Sequence, residues 1–321
     1  MTDRKIIAVV GATGAQGGGL ARAILEDAGG GFAVRAVTRD PRSKRAQALA
    51  ALGAEVVQAD LDDLKTVAKA FRGAYGAYCV TNFWEHGSPE RELAQARNLA
   101  EAAGAMGTEH VIWSTLEDTR LRVPLADDHL PTLRGSYKVP HFDAKGEADG
   151  AFLDAEVPVT FLLTSFYWDN LIHFGMGPRP GPDGQLALTL PMGDRRLPGI
   201  AAEDIGRCAY GIFRRGAPYV GRTVGIAGGH LTGAQMAEAL ARALGHRVHY
   251  RPMEPEAYRR LGFPGAADLG NMFQFNQDFE GEFCGARDLE ESRALNPRLQ
   301  SFEQWVVANR GRIPVEVGAH P

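Results

Sequence analysis

The sequence predicts an α/β fold, a doubly wound parallel sheet followed by a smaller C-terminal α+β lobe. Three observations predict it. Short apolar runs alternate with segments of helical period from residue 4 to residue 164. Three glycines, Gly11, Gly14 and Gly17, stand where the first apolar run gives way to the first helix. Beyond residue 164 the segments shorten and fill with proline and glycine, as in the stretch from Gly175 to Pro182.

Residues Ile6 to Val10 form an unbroken apolar run, as a central parallel strand covered on both faces requires. Gly14 to Asp27 takes up helical spacing, with Leu20, Ala21, Ile24 and Leu25 on one side. Ala33 to Val37 is a second strand, and Arg42 to Leu52 a helix stopped by Gly53. Glu55 to Ala59 is a third strand, followed by the apolar stripe Leu61, Leu64, Val67, Ala68 and Phe71, which ends at Gly73. Tyr75 to Val80 and His110 to Ser114 are strands four and five, with a helix over Glu90 to Met106 between them. Pro140 to Ala155 is helical, with Pro140 at its first position, and Val157 to Thr164 is strand six. This order demands parallel strands joined by right-handed crossovers. We therefore divide the chain into a dinucleotide-binding domain over 1–164 and a smaller, discontinuous substrate- or partner-side lobe over 165–321, some of whose segments can return to the sheet. Ala202 to Arg214 and Thr232 to Leu244 are its clearest helices.

Composition narrows the function. The 321 residues carry a net charge of −4, so the basic excess of a nucleic-acid surface is missing. Cys79, Cys208 and Cys284 are too far apart for a zinc or dithiol motif, and three cysteines fit a reducing compartment. His246 and His249 lack a further ligand nearby in sequence, so no metal is expected. No apolar stretch reaches the roughly 20 residues of a membrane helix. The expectation is a cytoplasmic protein without a membrane segment.

The segment Gly11-Ala12-Thr13-Gly14-Ala15-Gln16-Gly17 is read as a phosphate-binding turn. Glycine lets the backbone approach a pyrophosphate, and the following helix offers unpaired N–H groups and the positive end of its dipole. Gly18 and Gly19 extend the run and are read the same way. The end of the second strand, Val37-Thr38-Arg39, decides the cofactor. A carboxylate there would suit the ribose hydroxyl of NAD, a cation the 2′-phosphate of NADP. Asp40 is the rival, but Asp40-Pro41 reads as an N-cap followed by proline at the first helical position. That leaves Arg39, with Lys44 and Arg42, to meet phosphate, and NADP(H) is the expected cofactor. Asp60 and Leu61 follow strand three; Asp60 serves either the adenine amino group or the next helix as its N-cap, or both.

These motifs, together with Val80-Thr81-Asn82-x-Trp84, the run from His141 to Glu147, Leu190-Pro191-x-Gly193-Asp194 and Leu261 to Ala266, resemble the NmrA-like family. Its members are atypical relatives of the short-chain dehydrogenases, and the likeness is closest to the redox-sensing animal members. The resemblance runs over nearly the whole chain and implies a Rossmann domain that binds NADP, with cofactor occupancy controlling self-association or a protein partner. Active short-chain dehydrogenases use Tyr-x-x-x-Lys and an upstream serine. At that spacing this chain has His141 and Lys145, and Ser114 stands where the family's serine falls. The resemblance also places Thr81 and Asn82 near the ribose and nicotinamide, and gives Lys145 a ribose contact. Phe166, Tyr167 and Asn170, after strand six, are expected beside the nicotinamide or in the core.

Without the phenol, carbonyl reduction lacks its usual proton donor, a loss of about 10²–10⁴-fold. The first reading is therefore a redox-sensing regulator that binds NADP(H) without efficient turnover, with His141 a chemically silent residue of the first helical turn. The alternative is an NADPH-dependent reductase of quinones, enones or small carbonyls that uses His141 or Lys145 for proton transfer. Tyr137 reaches the site only if the loop before Pro140 folds back. A directly DNA-binding factor is disfavoured by the lack of a helix-turn-helix pattern. Asn271 to Phe279 is aromatic and amphipathic, a roof for the cleft, a partner surface or packing for the second lobe.

Overall fold

In the computed structural model, residues 4–181 and 183–315 are described; residues 1–3, Pro182 of the proline-rich stretch and 316–321 lie outside them. Every strand and helix expected between residues 4 and 164 is present: β1 (Lys5–Val10), α1 (Ala15–Glu26), β2 (Phe32–Thr38), α2 (Lys44–Ala51), β3 (Glu55–Gln58), α3 (Leu64–Phe71) and β4 (Gly76–Cys79). A four-residue helix that the periodicity did not reveal, α4 (Phe83–His86), precedes α5 (Pro89–Ala105), β5 (His110–Thr115), α6 (Pro140–Asp154) and β6 (Val159–Leu163). The main sheet has seven strands in the order β11-β6-β5-β4-β1-β2-β3, all parallel. Its seventh strand, β11 (Thr223–Gly225), returns from the C-terminal half to pair with β6.

The apolar runs fill two cores by simple alternation. Ile7 and Val9 of β1 face the layer that holds α1 and α8 (Ala202–Arg215), whereas Ala8 and Val10 face α3, α5 and α6. The remainder contributes β7 (Phe166–Tyr167), α7 (Asn170–His173), β8 (Arg179–Pro180), β9 (Leu186–Leu188), β10 (Arg196–Ile200), β12 (Gly229–Thr232), α9 (Gly233–Leu244), β13 (Val248–Tyr250), α10 (Pro255–Arg259), α11 (Ala266–Asp278), α12 (Glu280–Gly285), α13 (Leu289–Leu295) and α14 (Phe302–Asn309). Two three-stranded mixed sheets, β12-β10-β7 and β13-β9-β8, frame a third core around Phe166, Trp168, Phe273 and Trp305. The Asn271–Phe279 segment is mostly buried there as part of α11, with Met272, Phe273 and Phe275 in that core.

Local chemistry corrects three readings. Asp40 is not the N-cap of α2. The cap is Ser43, whose hydroxyl accepts from Ala46 N–H at 3.3 Å, while Asp40 Oδ1 accepts from Arg42 N–H at 2.9 Å in the turn before it. Asp60 is likewise one turn early: Asp63 caps α3, and Asp60 Oδ1 accepts from Asp62 N–H at 3.0 Å. Finally, Gly19 has no room for phosphate. A Cβ on it would lie 2.4 Å from Glu203 O, because α8 crosses α1 at that point.

Candidate active site

The site lies at the carboxyl ends of β1, β2, β4 and β5, where ligands bind in open parallel sheets. Gly11 turns the chain out of β1 with φ +64°, a left-handed conformation that suits glycine. Gly14 is the N-cap of α1 and has no side-chain cap, so the first amides of the helix are left for a ligand. Gly17 is buried beneath the turn, and a Cβ there would stand 2.6 Å from Gly11 O and 2.7 Å from Val10 O. This glycine allows the helix start to close on the strand, a cradle of the shape that a pyrophosphate requires.

The side chain of Gln16 points away from that cradle. Its Oε1 accepts from the Tyr78 hydroxyl and from Ser114 Oγ at 2.8 Å, and its Nε2 donates to the Tyr167 hydroxyl. Burial pushes the Tyr167 phenol up to about 12 and Tyr78 above its ordinary range. Ser114 thus faces the α1 side of the sheet. Its neighbour Thr115 points the other way and donates to Asp149 Oδ1 at 2.6 Å on α6. Phe166 turns into the third core, 6.2 Å from the Phe273 ring, and alternation brings Tyr167 back to Gln16. Asn170 opens α7 and is partly buried.

On the other side of the sheet, α6 presents His141 and Lys145 one turn apart. Its start is held firmly. Asp143 Oδ2 accepts from Lys138 N–H at 2.7 Å and Val139 N–H at 3.0 Å, and Oδ1 accepts from Thr119 N–H at 2.8 Å. The buried Lys138 ammonium donates to the carbonyls of Asp127 at 2.6 Å and Leu130 at 2.7 Å, which fixes the preceding loop. Tyr137 stays on that loop, with the Arg120 guanidinium 5.1 Å above its ring.

Lys145 Nζ lies 2.8 Å from Glu92 Oε1 and donates to Thr81 Oγ1 at 2.8 Å. The Trp113 ring is 5.0 Å from the same ammonium. Glu92 is fully buried and also accepts from Thr81 Oγ1 at 2.5 Å. His86 Nδ1 accepts from Ser88 N–H at 3.0 Å, and its Nε2 stands 3.5 Å from Glu92 Oε2; neither of those last two atoms has a hydrogen-bond partner. Asn82, beside Thr81, is exposed and does not cap α4.

His141 has a partner from far along the chain. Its Nδ1 is 2.5 Å from Asp268 Oδ1, and its backbone N–H donates to Asp268 Oδ2 at 3.3 Å. Asp268 sits in the first turn of α11, where the helix dipole favours a carboxylate. One turn on, Asn271 Nδ2 donates to the carbonyls of Lys138 and Pro131 at 2.5 and 2.8 Å, which locks α11 against the start of α6. The Trp84 ring lies 4.8 Å from the imidazole and stays half exposed. It rests on Gly265, where a Cβ would meet it at 2.7 Å. His141 Nε2 has no hydrogen-bond partner among the described residues. An imidazole held by a carboxylate at one nitrogen and open at the other is arranged for proton transfer.

Beside the glycine turn, Arg39 forms an exposed ion pair with Glu85 of α4. Lys44 opens α2 and is exposed, and Arg45 Nη1 donates to Thr13 O at 3.4 Å across the mouth of the glycine turn. Asp60 is exposed, while Leu61 packs against the core and its carbonyl accepts from Asn98 Nδ2 at 2.7 Å. Sequence reasoning missed Glu92, Asp268, Glu85 and Asp149, whose partners lie far along the chain, and His86, whose partners Ser88 and Glu92 are close by. No helix among the described residues is long and apolar enough to cross a membrane.

Comparison with known proteins places this geometry in a family. The model of the NmrA-like family matches residues 3–306. The NmrA-like family domain-containing oxidoreductase notA′ of Aspergillus versicolor is 32% identical, covering 94% of this chain and 92% of its own. FrzB of Cladobotryum sp, named in the same way, is 29% identical over 90% of this chain and 89% of its own. Among solved structures, NmrA, a negative transcriptional regulator in complex with NAD, superposes with a TM-score of 0.78 at 25% identity, covering 95% of both chains. The triphenylmethane reductase of Citrobacter sp. complexed with NADP(H) shares the fold with a TM-score of 0.74 at 19% identity, covering 94% of this chain and 99% of its own. With the family model covering nearly all of its length and the glycine turn, Arg39 and the His141/Lys145 pair in place, the chain belongs to the NmrA-like family.

Proposed function

We propose that this chain is an NADP(H)-dependent reductase of small conjugated carbonyl or quinone substrates, with His141 as the proton donor. The observation that carries this reading is the contact between His141 and Asp268. A silent histidine in a first helical turn has no need of a buried carboxylate from a helix 127 residues away. The sequence alone put redox sensing first; the dyad supports the reductase reading.

The backbone amides of Thr13, Gly14, Ala15, Gln16 and Gly17 hold the pyrophosphate at the open start of α1, in the space kept by Gly17. Arg39, Lys44 and Arg45 meet the 2′-phosphate, and Asp60 and Leu61 border the adenine. Thr81, Asn82 and Lys145 face the ribose, and Tyr167 and Asn170 border the nicotinamide end. NmrA complexed with NAD and the triphenylmethane reductase complexed with NADP(H) support a dinucleotide in this cleft. When bound, the reduced dinucleotide supplies a hydride to the substrate carbon. His141 Nε2 gives a proton to the substrate oxygen, with the ring held by the Asp268 carboxylate at Nδ1. Lys145, neutralised by Glu92, orients rather than protonates.

NADPH oxidation across a panel of quinones and enones tests this, with His141→Ala and Lys145→Ala alongside. Turnover is expected to fall about 10²–10⁴-fold in His141→Ala with NADPH affinity retained. Tight NADPH binding without turnover anywhere in the panel would return the protein to the sensing class. The reducing cytoplasmic setting and a homodimer or protein partner belong to the same proposal.

A further inference from the structure

The short helix α4 touches three parts of the site at once. Glu85 pairs with Arg39, the Trp84 ring lies tilted against His141 at 4.8 Å, and His86 Nε2 stands 3.5 Å from the Glu92 carboxylate that neutralises Lys145. We infer that Glu85 is a cofactor-discriminating latch: it occupies the guanidinium of Arg39, and the 2′-phosphate of NADP(H) must take that guanidinium from it. This rests on the reading that Arg39 meets the 2′-phosphate.

The physical argument is competition for one cation. A planar guanidinium binds one oxyanion pair well, and a dianionic phosphate is a stronger partner than a carboxylate. The Arg39 and Glu85 side chains are 63% and 39% exposed, so their pair is weak and exchangeable. Once Arg39 turns to the phosphate, Glu85 is left beside a dianion and is repelled from it. The element that must yield is α4, four residues long and joined to α5 through Gly87 and Ser88. NAD(H), with a ribose hydroxyl in place of phosphate, has no charge with which to break the pair; the Glu85 carboxylate can accept that hydroxyl and stay where it is. The two cofactors therefore leave Trp84 in different positions against His141.

The test is a set of equilibrium titrations with NADP⁺ and NAD⁺ on the wild type, Glu85→Gln, Arg39→Ala and the double variant. Glu85→Gln is expected to tighten NADP⁺ about two- to fivefold, the range of an exposed ion pair. NAD⁺ affinity is expected to hold or weaken. The NADP⁺ gain should shrink in the Arg39→Ala background, where no guanidinium remains to be released. The Trp84 contribution to tryptophan emission, isolated with Trp84→Phe, should respond to NADP⁺ and not to NAD⁺. Equal tightening for both cofactors, an undiminished gain without Arg39, or identical Trp84 responses would each overturn the latch. If Arg39→Ala instead leaves the ratio of NADP⁺ to NAD⁺ affinity unchanged, the underlying placement of the 2′-phosphate fails, and the latch with it.

Discussion

His141 and Asp268 meet at 2.5 Å through Nδ1 and Oδ1, one from the first turn of α6 and the other from the first turn of α11. The carboxylate fixes the ring through Nδ1 and the backbone N–H, so Asp268 is a positioning residue for the proposed acid. Asp268→Asn is expected to lower kcat roughly 10-fold or more, as loss of a charge-assisted hydrogen bond of about 1.5–3 kcal/mol implies. KM and NADPH affinity should change little. A fall in kcat with KM and thermal stability held is an effect that a merely structural residue would not cause. An unaltered kcat would remove Asp268 from the mechanism.

Lys145 and Glu92 form a second pair, at 2.8 Å, with the carboxylate fully buried. Removal of one partner leaves an uncompensated buried charge, at a cost of about 3–5 kcal/mol. Lys145→Met is therefore expected to destabilise the fold as well as remove the proposed ribose contact. Combining it with Glu92→Gln should recover much of that stability without recovering cofactor binding. Urea midpoints for the two single variants and the double variant test this; simple additivity of the losses would contradict the pairing.

The first half of the fold was legible because strand and helix periods are local properties of the chain. Ile7 and Val9 against Ala8 and Val10 already specify two covered faces. Helix starts were less legible: Asp40 and Asp60 have the chemistry of N-caps, but each lies in a turn that Ser43 or Asp63 follows with a better-placed acceptor. The site was legible where it is a motif and illegible where it is tertiary. The glycine turn and Arg39 could be proposed from the strand-to-helix pattern, and His141 and Lys145 from the family resemblance. Asp268, Glu92 and Glu85 could not, since acidic residues early in a helix normally imply only a favourable dipole. Gln16 was named for its backbone, and nothing local showed that its side chain turns to Tyr78, Ser114 and Tyr167.

Gly17 and Gly19 lie two residues apart on α1 but serve different contacts. A Cβ on Gly17 collides with Val10 O and Gly11 O, and one on Gly19 collides with Glu203 O of α8. Alanine at either position is expected to cost about 1–3 kcal/mol through overpacking against backbone. Only Gly17→Ala should also weaken NADPH, because only there does the turn itself have to shift. Thermal unfolding with and without NADPH separates the two. If Gly19→Ala lost cofactor affinity as badly as Gly17→Ala, the assignment of Gly19 to helix packing would be wrong.

Asp149 supplies a pH dependence with a definite sign. It accepts from Trp113 Nε1 at 2.8 Å and Thr115 Oγ1 at 2.6 Å, yet burial dominates and pushes its carboxyl up to about 7. The folded protein therefore keeps a proton there that the unfolded chain has released above about pH 4. Between those values the native state binds more protons than the unfolded one, so this group's contribution to stability falls as pH rises from about 4 to about 7. Asp149→Asn keeps an acceptor for Trp113 and Thr115 but cannot ionise. Its stability relative to wild type should improve from pH 5 to pH 8, by at most about 3 kcal/mol. Denaturant melts of both proteins at the two pH values measure the difference directly, and a relative stability that is flat or moves the other way would show that Asp149 is ionised in the folded state throughout.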